Sequence, residues 1–146
     1  MRIRNSNFAE DGKTCICGIL NVTPDSFSDG GKWNTLDAAL FHAEEMVREG
    51  AGLIDVGGES TRPGCIPVEE GRETERVIPV IEAIRTRLDV PLSVDTFHAG
   101  TARAAIEAGA DLVNDISGLK ADPEMAGVIA AAKVPCCLMH SRREAV

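Results

Sequence analysis

Residues 91–115 read PLSVDTFHAGTARAAIEAGADLVND. A short apolar run, Pro91–Asp95, ends in a carboxylate. A helical stripe of Ala102, Ala105 and Ile106 follows and stops at Gly109. A second apolar run, Ala110–Ile116, then ends in Asn114 and Asp115. Neither run alternates strictly between apolar and polar residues, the pattern of strands covered on both faces in a parallel sheet. The segment therefore reads as one strand–helix–strand unit, with polar groups where each strand ends.

The same unit recurs on both sides. Thr14–Val22 (TCICGILNV), Gly52–Gly57 (GLIDVG) and Val134–His140 (VPCCLMH) are three more apolar runs. Leu36, Ala39, Leu40, Ala43, Met46 and Val47 form a helical stripe that Asn34 or Thr35 can cap and Gly50 can end. Val77, Ile81, Ile84 and Leu88 form another, in which Pro79 predicts a kink or a fresh helix start. Asp122-Pro123 reads as an N-cap followed by proline in the first helical position, ahead of Met125, Val128, Ile129 and Ala132. Five strands alternating with four helices predict an α/β fold with a parallel sheet and right-handed crossovers. A (β/α)8 barrel and an open doubly wound sheet both fit. Both place ligands at the carboxyl ends of the strands, where Asn21, Asp55, Asp95, Asn114, Asp115 and His140 gather.

Composition narrows the function. Hydrophobic residues make up 44% and charged residues 26% of the 146, ordinary for a soluble globular domain with a core of its own. No apolar run reaches the roughly 20 residues that span a bilayer, and no signal core follows Met1, so a cytoplasmic protein without a membrane partner is expected. The net charge of −8 and the four Phe, one Trp and no Tyr argue against nucleic acid. Cys15, Cys17, Cys65, Cys136 and Cys137 show no zinc spacing and are expected to be reduced, mostly buried thiols.

Two loops carry most of the chemistry. Asn21 to Gly31 (NVTPDSFSDGG) is a long polar turn after the first strand. Asp55 to Gly64 (DVGGESTRPG) joins glycines, hydroxyls and Arg62, a set suited to a phosphate-like anion. Asp95 is expected in the pocket, where a carboxylate can accept two parallel N–H bonds from a guanidine-like edge. Asp115 reads equally well as a cap for the helix that follows it. His42 is expected to face solvent, His98 to start a helix, and His140 to lie on the mouth side.

Taken together these blocks resemble the dihydropteroate synthase family. GILNVTPDSFSDGG (18–31) and IDVGGESTRPG (54–64) resemble its two signatures, and SVDT (93–96), VNDIS (113–117) and LMH (138–140) match further blocks in the same order. The resemblance implies a (β/α)8 TIM barrel, here a partial one of about five parallel strands and four helices, with residues 1–146 as the N-terminal part of a pterin-binding domain. It implies condensation of a dihydropterin pyrophosphate with para-aminobenzoate in folate biosynthesis, Mg²⁺ as cofactor, a homodimer in the full-length form, and a target of sulfonamides. By the same resemblance Asn21 faces the metal and pyrophosphate, and Thr61 and Arg62 meet the anion. Asp95 and Asn114 read the pterin, between apolar walls from Ile116 and Met139. Phe27, Asp29 and Pro63 shape the aminobenzoate pocket, and Phe27, Asp29 and Arg62 are the catalytic candidates.

The family also uses an acidic residue after the sixth strand, a Lys after the seventh and an Arg and a His after the eighth. This sequence has no counterpart for them, so the chain alone is expected to be inactive, and to be unstable, to associate or to be a fragment of a longer frame. Two other readings stay open. One is a non-catalytic half-barrel that binds pterin. The other is a methyltetrahydrofolate–corrinoid methyltransferase relative, against which the long loop with Phe27 and Asp29 speaks.

Overall fold

The computed structural model describes residues 2–8, 12, 14–23, 35–59 and 68–140. A short antiparallel hairpin, β1 (Arg2–Ile3) and β2 (Ser6–Asn7), comes first. Five parallel strands follow: β3 (Cys17–Asn21), β4 (Leu53–Gly57), β5 (Leu92–Asp95), β6 (Leu112–Asp115) and β7 (Cys136–Leu138). Between them lie α1 (Thr35–Arg48), α2 (Glu70–Arg87), α3 (Ala99–Ala108) and α4 (Met125–Ala132).

Strand order separates the two architectures. Each strand pairs only with its neighbours in the chain, in the order β3-β4-β5-β6-β7. A doubly wound sheet reverses direction at a switch point and so receives helices on both faces. This sheet never reverses. The helices pack side by side, α1 on α2, α2 on α3 and α3 on α4, along one face of a partial α/β barrel.

Register shows which side chains that face takes. Leu20, Val56, Val94 and Val113 stand in one row across four strands, and each is 1% exposed or less. They pack with Ile54, Leu92, Val77, Ile81 and Ile84 in the core beneath the helices. The next row towards the strand ends is Asn21, Gly57, Asp95, Asn114 and Cys137, on the other face. One face thus carries the core and the other carries the polar groups.

Several expectations need correction. Cys15, Cys17, Cys136 and Cys137 are exposed, not buried; Cys65 lies outside the described residues. Apolar strand sequence implied cover on both faces, but the four described helices cover one. Pro79 starts no new helix: α2 runs unbroken past it. Pro79 and Glu75 both lie on the exposed side, so the carbonyl that loses its N–H partner can turn to water. The fourth helix starts at Met125, after a turn through Pro123 and Glu124, and not at Pro123. Asp122 instead links two elements: its Oδ1 accepts the Glu124 N–H at 2.9 Å and its Oδ2 the Ala99 N–H at 2.8 Å, at the start of α3. Gly109 ends α3 at φ 115°, as expected.

The hairpin has no counterpart in the sequence reading, because two-residue strands are too short to show a period. It is tied to the amino ends of the strands. The Arg4 guanidinium meets Asp89 at 2.8 Å and Asp111 at 3.3 Å, and Ile3 is 5% exposed. Arg85 bonds Asp111 at 2.7 Å and the carbonyls of Gly109 and Val90. These contacts brace the end of the sheet opposite the polar row.

Candidate active site

The site is built from side chains two residues apart on the same strand face, repeated on neighbouring strands. β4 contributes Asp55 and then Gly57; β5 contributes Ser93 and then Asp95. Asp55 is 7% exposed, a charged residue within an apolar strand. Its carboxylate is held on both oxygens: the Ser93 hydroxyl donates to Oδ1, and Asn114 Nδ2 donates to Oδ2 at 3.0 Å. That second bond fixes which way the Asn114 amide points, with its oxygen turned away from Asp55.

Two acceptors are left over. Asp95 Oδ1 and Asn114 Oδ1 are both buried and have no hydrogen-bond partner among the described residues. Their residues pair directly across β5 and β6. Burying an acceptor without a donor costs about 1–3 kcal/mol. Two such atoms on paired residues at the carboxyl ends of parallel strands can accept from a molecule that presents adjacent N–H donors. Desolvation, with help from Asp55, Glu73, Asp115 and Glu59, pushes the Asp95 carboxyl up to about 7.

Gly57 keeps the floor open. A Cβ there would sit 3.5 Å from Asp95 Cβ and 3.7 Å from Asn21 Oδ1, filling the gap between them. Asn21 ends β3 with its side chain exposed beside that gap. An amide oxygen at the rim of a cleft, next to carboxylates, is a donor of the kind a hard cation takes.

The structure thus brings Asn21, Asp95 and Asn114 into one row. Ile116 is half-buried just beyond Asn114, and Met139 is 47% exposed after β7. Phe27, Asp29, Thr61, Arg62 and Pro63 lie outside the described residues. Asp115 caps a turn and not the following helix: its carboxylate accepts the N–H groups of Ser117 at 2.7 Å and Leu119 at 2.8 Å, and α4 starts only at Met125. His42 and His140 are exposed, and His98 precedes α3 as its N-cap.

Sequence reasoning placed Asp55 among the strand-end residues but did not see its work, the orientation of Asn114. A carboxylate inside an apolar strand was the available signal. It also missed a polar group on the helix side of the same strand ends. Glu73, 1% exposed on α2, accepts from the Thr96 hydroxyl at 2.8 Å and lies 2.9 Å from His98 Nδ1. Glu59 stands close to both, and burial pushes its carboxyl upward.

Residues 17–146 match the family described as pterin binding enzyme. The chain belongs to that family. Over 142 residues it is 56% identical to dihydropteroate synthase of Clostridium beijerinckii, covering 97% of this chain and 53% of that protein. Over 132 residues it is 60% identical to the Bacillus subtilis dihydropteroate synthase, covering 90% and 46%. Among solved structures, it superposes on a Clostridium difficile dihydropteroate synthase determined in the presence of pteroic acid. The TM-score is 0.89 at 50% identity, over 94% of this chain and 52% of that one. The Xanthomonas albilineans dihydropteroate synthase with 4-aminobenzoic acid gives 0.85 at 48% identity, over 90% and 48%. The chain spans about half the length of these family members. No helix among the described residues is long and apolar enough to cross a membrane.

Proposed function

We propose that this chain forms the N-terminal part of a dihydropteroate synthase barrel and carries its pterin-reading side. The observation that supports this most is the adjacent pair of unpartnered acceptors, Asp95 Oδ1 and Asn114 Oδ1. A pterin presents an amino group and a ring N–H on one edge, two donors in line. Carboxylate and amide oxygens side by side complement that edge. Ile116 and Met139 would supply apolar contact to the flat ring.

The reaction joins the amine nitrogen of para-aminobenzoate to the pterin methylene carbon while the C–O bond to pyrophosphate breaks. The carbon gains positive charge as the leaving group departs. Asp29 is the carboxylate proposed to stabilise that charge, with Phe27 and Pro63 walling the aminobenzoate pocket. Thr61 and Arg62 would bind the pyrophosphate oxygens. The donor chemistry at the open gap beside Gly57 fits Mg²⁺, which Asn21 would hold through its amide oxygen. When bound, Mg²⁺ offsets charge on the departing pyrophosphate. The remaining groups would come from the other half of the barrel. On this reading the protein is a cytoplasmic transferase, homodimeric in its full-length form, acting on small molecules and not on nucleic acid.

The test is calorimetric titration of the 146-residue chain with the dihydropterin pyrophosphate, followed by an assay of pyrophosphate release with Mg²⁺, with and without para-aminobenzoate. Release that depends on para-aminobenzoate is the result expected once the barrel is completed by the full-length form. Pterin binding without release from either form marks a binding half-barrel instead. No binding by either form would overturn the reading.

A further inference from the structure

The polar cluster behind the strand ends is not used by the proposed pterin site. We propose that Glu59, Glu73 and His98 form a second metal site, specific for a divalent transition-metal ion of the Mn²⁺–Zn²⁺ group. Each residue offers one ligand atom, and the three atoms lie within 4.8 Å of one another. His98 Nδ1 and Glu73 Oε2 are 2.9 Å apart. That is a hydrogen bond's separation, and the two atoms would move apart by about half an ångström to hold one tetrahedral ion at about 2.0–2.2 Å.

An independent observation points the same way. Glu59 is 9% exposed, and its Oε2 is buried without a hydrogen-bond partner among the described residues. Glu73 beside it is 1% exposed. Thr96 and His98 meet Glu73, and the Val68 N–H meets Glu59, which leaves that one Glu59 oxygen unmet; a cation between the two carboxylates would offset the cost of enclosing them. Arg76 attracts the Glu59 carboxylate but donates through Nη1 to the Gly58 carbonyl at 2.8 Å, and no ion pair joins it to Glu59 or Glu73 among the described residues. The imidazole of His98 reaches Glu73. One ion among the three would satisfy the orphaned Glu59 oxygen and both charges together.

The donor set states the preference. Imidazole nitrogen with two carboxylate oxygens suits Zn²⁺, Mn²⁺ or Co²⁺, while Mg²⁺ favours oxygen donors with retained water. The three residues come from the segment after β4, the first turn of α2 and the N-cap of α3. An ion there would tie three elements together behind Asp95, on the face away from the pterin. Its role would be structural.

The test uses the whole chain, stripped of metal, with its cysteine thiols alkylated so that they cannot bind the probe. Co²⁺ is titrated and followed by visible absorption. The expected result is one equivalent bound, weak ligand-field bands without thiolate charge transfer, and a raised melting temperature. Excess Mg²⁺ should not displace the ion. His98→Ala and Glu59→Gln should each weaken Co²⁺ binding at least tenfold, while Asp95→Asn, which removes only a neighbouring charge, weakens it far less. His98 is partly exposed, so its replacement leaves the core intact. No binding by the parent chain overturns the proposal. So does binding that survives both substitutions, or binding that Asp95→Asn weakens as much as His98→Ala does.

Discussion

Two adjacent residues of β3 have opposite surroundings. Leu20 is 1% exposed and Ile19 is 64% exposed. Leu20 begins the row that continues through Val56, Val94 and Val113 beneath the helices. Ile19 begins the row that continues through Asp55 and Ser93 on the concave face. On that face an isoleucine meets water at the edge, while a carboxylate is buried in the middle. Residue type does not decide burial here; the layer packed against each face does. The helix-covered face carries the stability, and the concave face carries the groups that wait for a partner.

The largest effect should come from breaking the covered row. Leu20→Ala should cost about 2–5 kcal/mol in urea unfolding, because its cavity opens among packed helices. A loss below about 1 kcal/mol would mean that the helix layer is not the main core.

Asp95→Asn tests the concave row. Pterin affinity should fall by about 1.5–3 kcal/mol, roughly 10- to 150-fold, because a charged acceptor is lost. Unchanged affinity in the calorimeter would remove Asp95 from the pterin site.

A smaller effect should appear in stability against pH. The Asp95 carboxyl is raised to about 7 from an ordinary 3.8, chiefly by desolvation. A group raised on folding contributes stability fully below its unfolded value and loses that contribution as pH rises through the folded value. The unfolding midpoint should therefore fall between about pH 4 and 8, with Glu59 acting in the same direction. Asp95→Asn should flatten that fall and leave the protein more stable at pH 8. A midpoint whose pH dependence is the same in both proteins would show that the carboxylate is not strained in the fold. The gain would come at the expense of binding, the usual trade at a site that holds unpartnered groups.

The smallest effect belongs to Ile19→Ala. Its stability should stay within about 0.5 kcal/mol of the parent. A loss comparable to Leu20→Ala would show that the concave edge is covered in solution.

Much of this was readable from the chain. The stripes at 36–47, 102–106 and 125–132 lie on helices, the stripe at 77–88 lies on α2 up to its C-cap Leu88, and the apolar runs contain the five parallel strands. Those signals are strong because helical and extended backbones repeat at different periods. Asp95 and Asn114 were legible as polar groups at strand ends because each lies at the carboxyl end of an apolar run. The hairpin at residues 2–7 was not, since its stability comes from Arg4 reaching Asp89 and Asp111, more than 80 residues away. Nor were the exposed cysteines, because a thiol in an apolar run reads as core whichever face it takes.

By itself, then, the sequence determined the alternation of strands and helices, the polar strand ends and the motifs that place the chain in a pterin-binding family. These are local matters of period, end signals and ordered blocks. Only the tertiary structure decided that the sheet keeps sequential order and so takes its helices on one face. It also decided that Asp55 turns the Asn114 oxygen outward beside Asp95, and that Glu59, Glu73 and His98 meet behind them. Those depend on register and on contacts between distant segments, where one residue of slip would send every side chain of a strand to the other face.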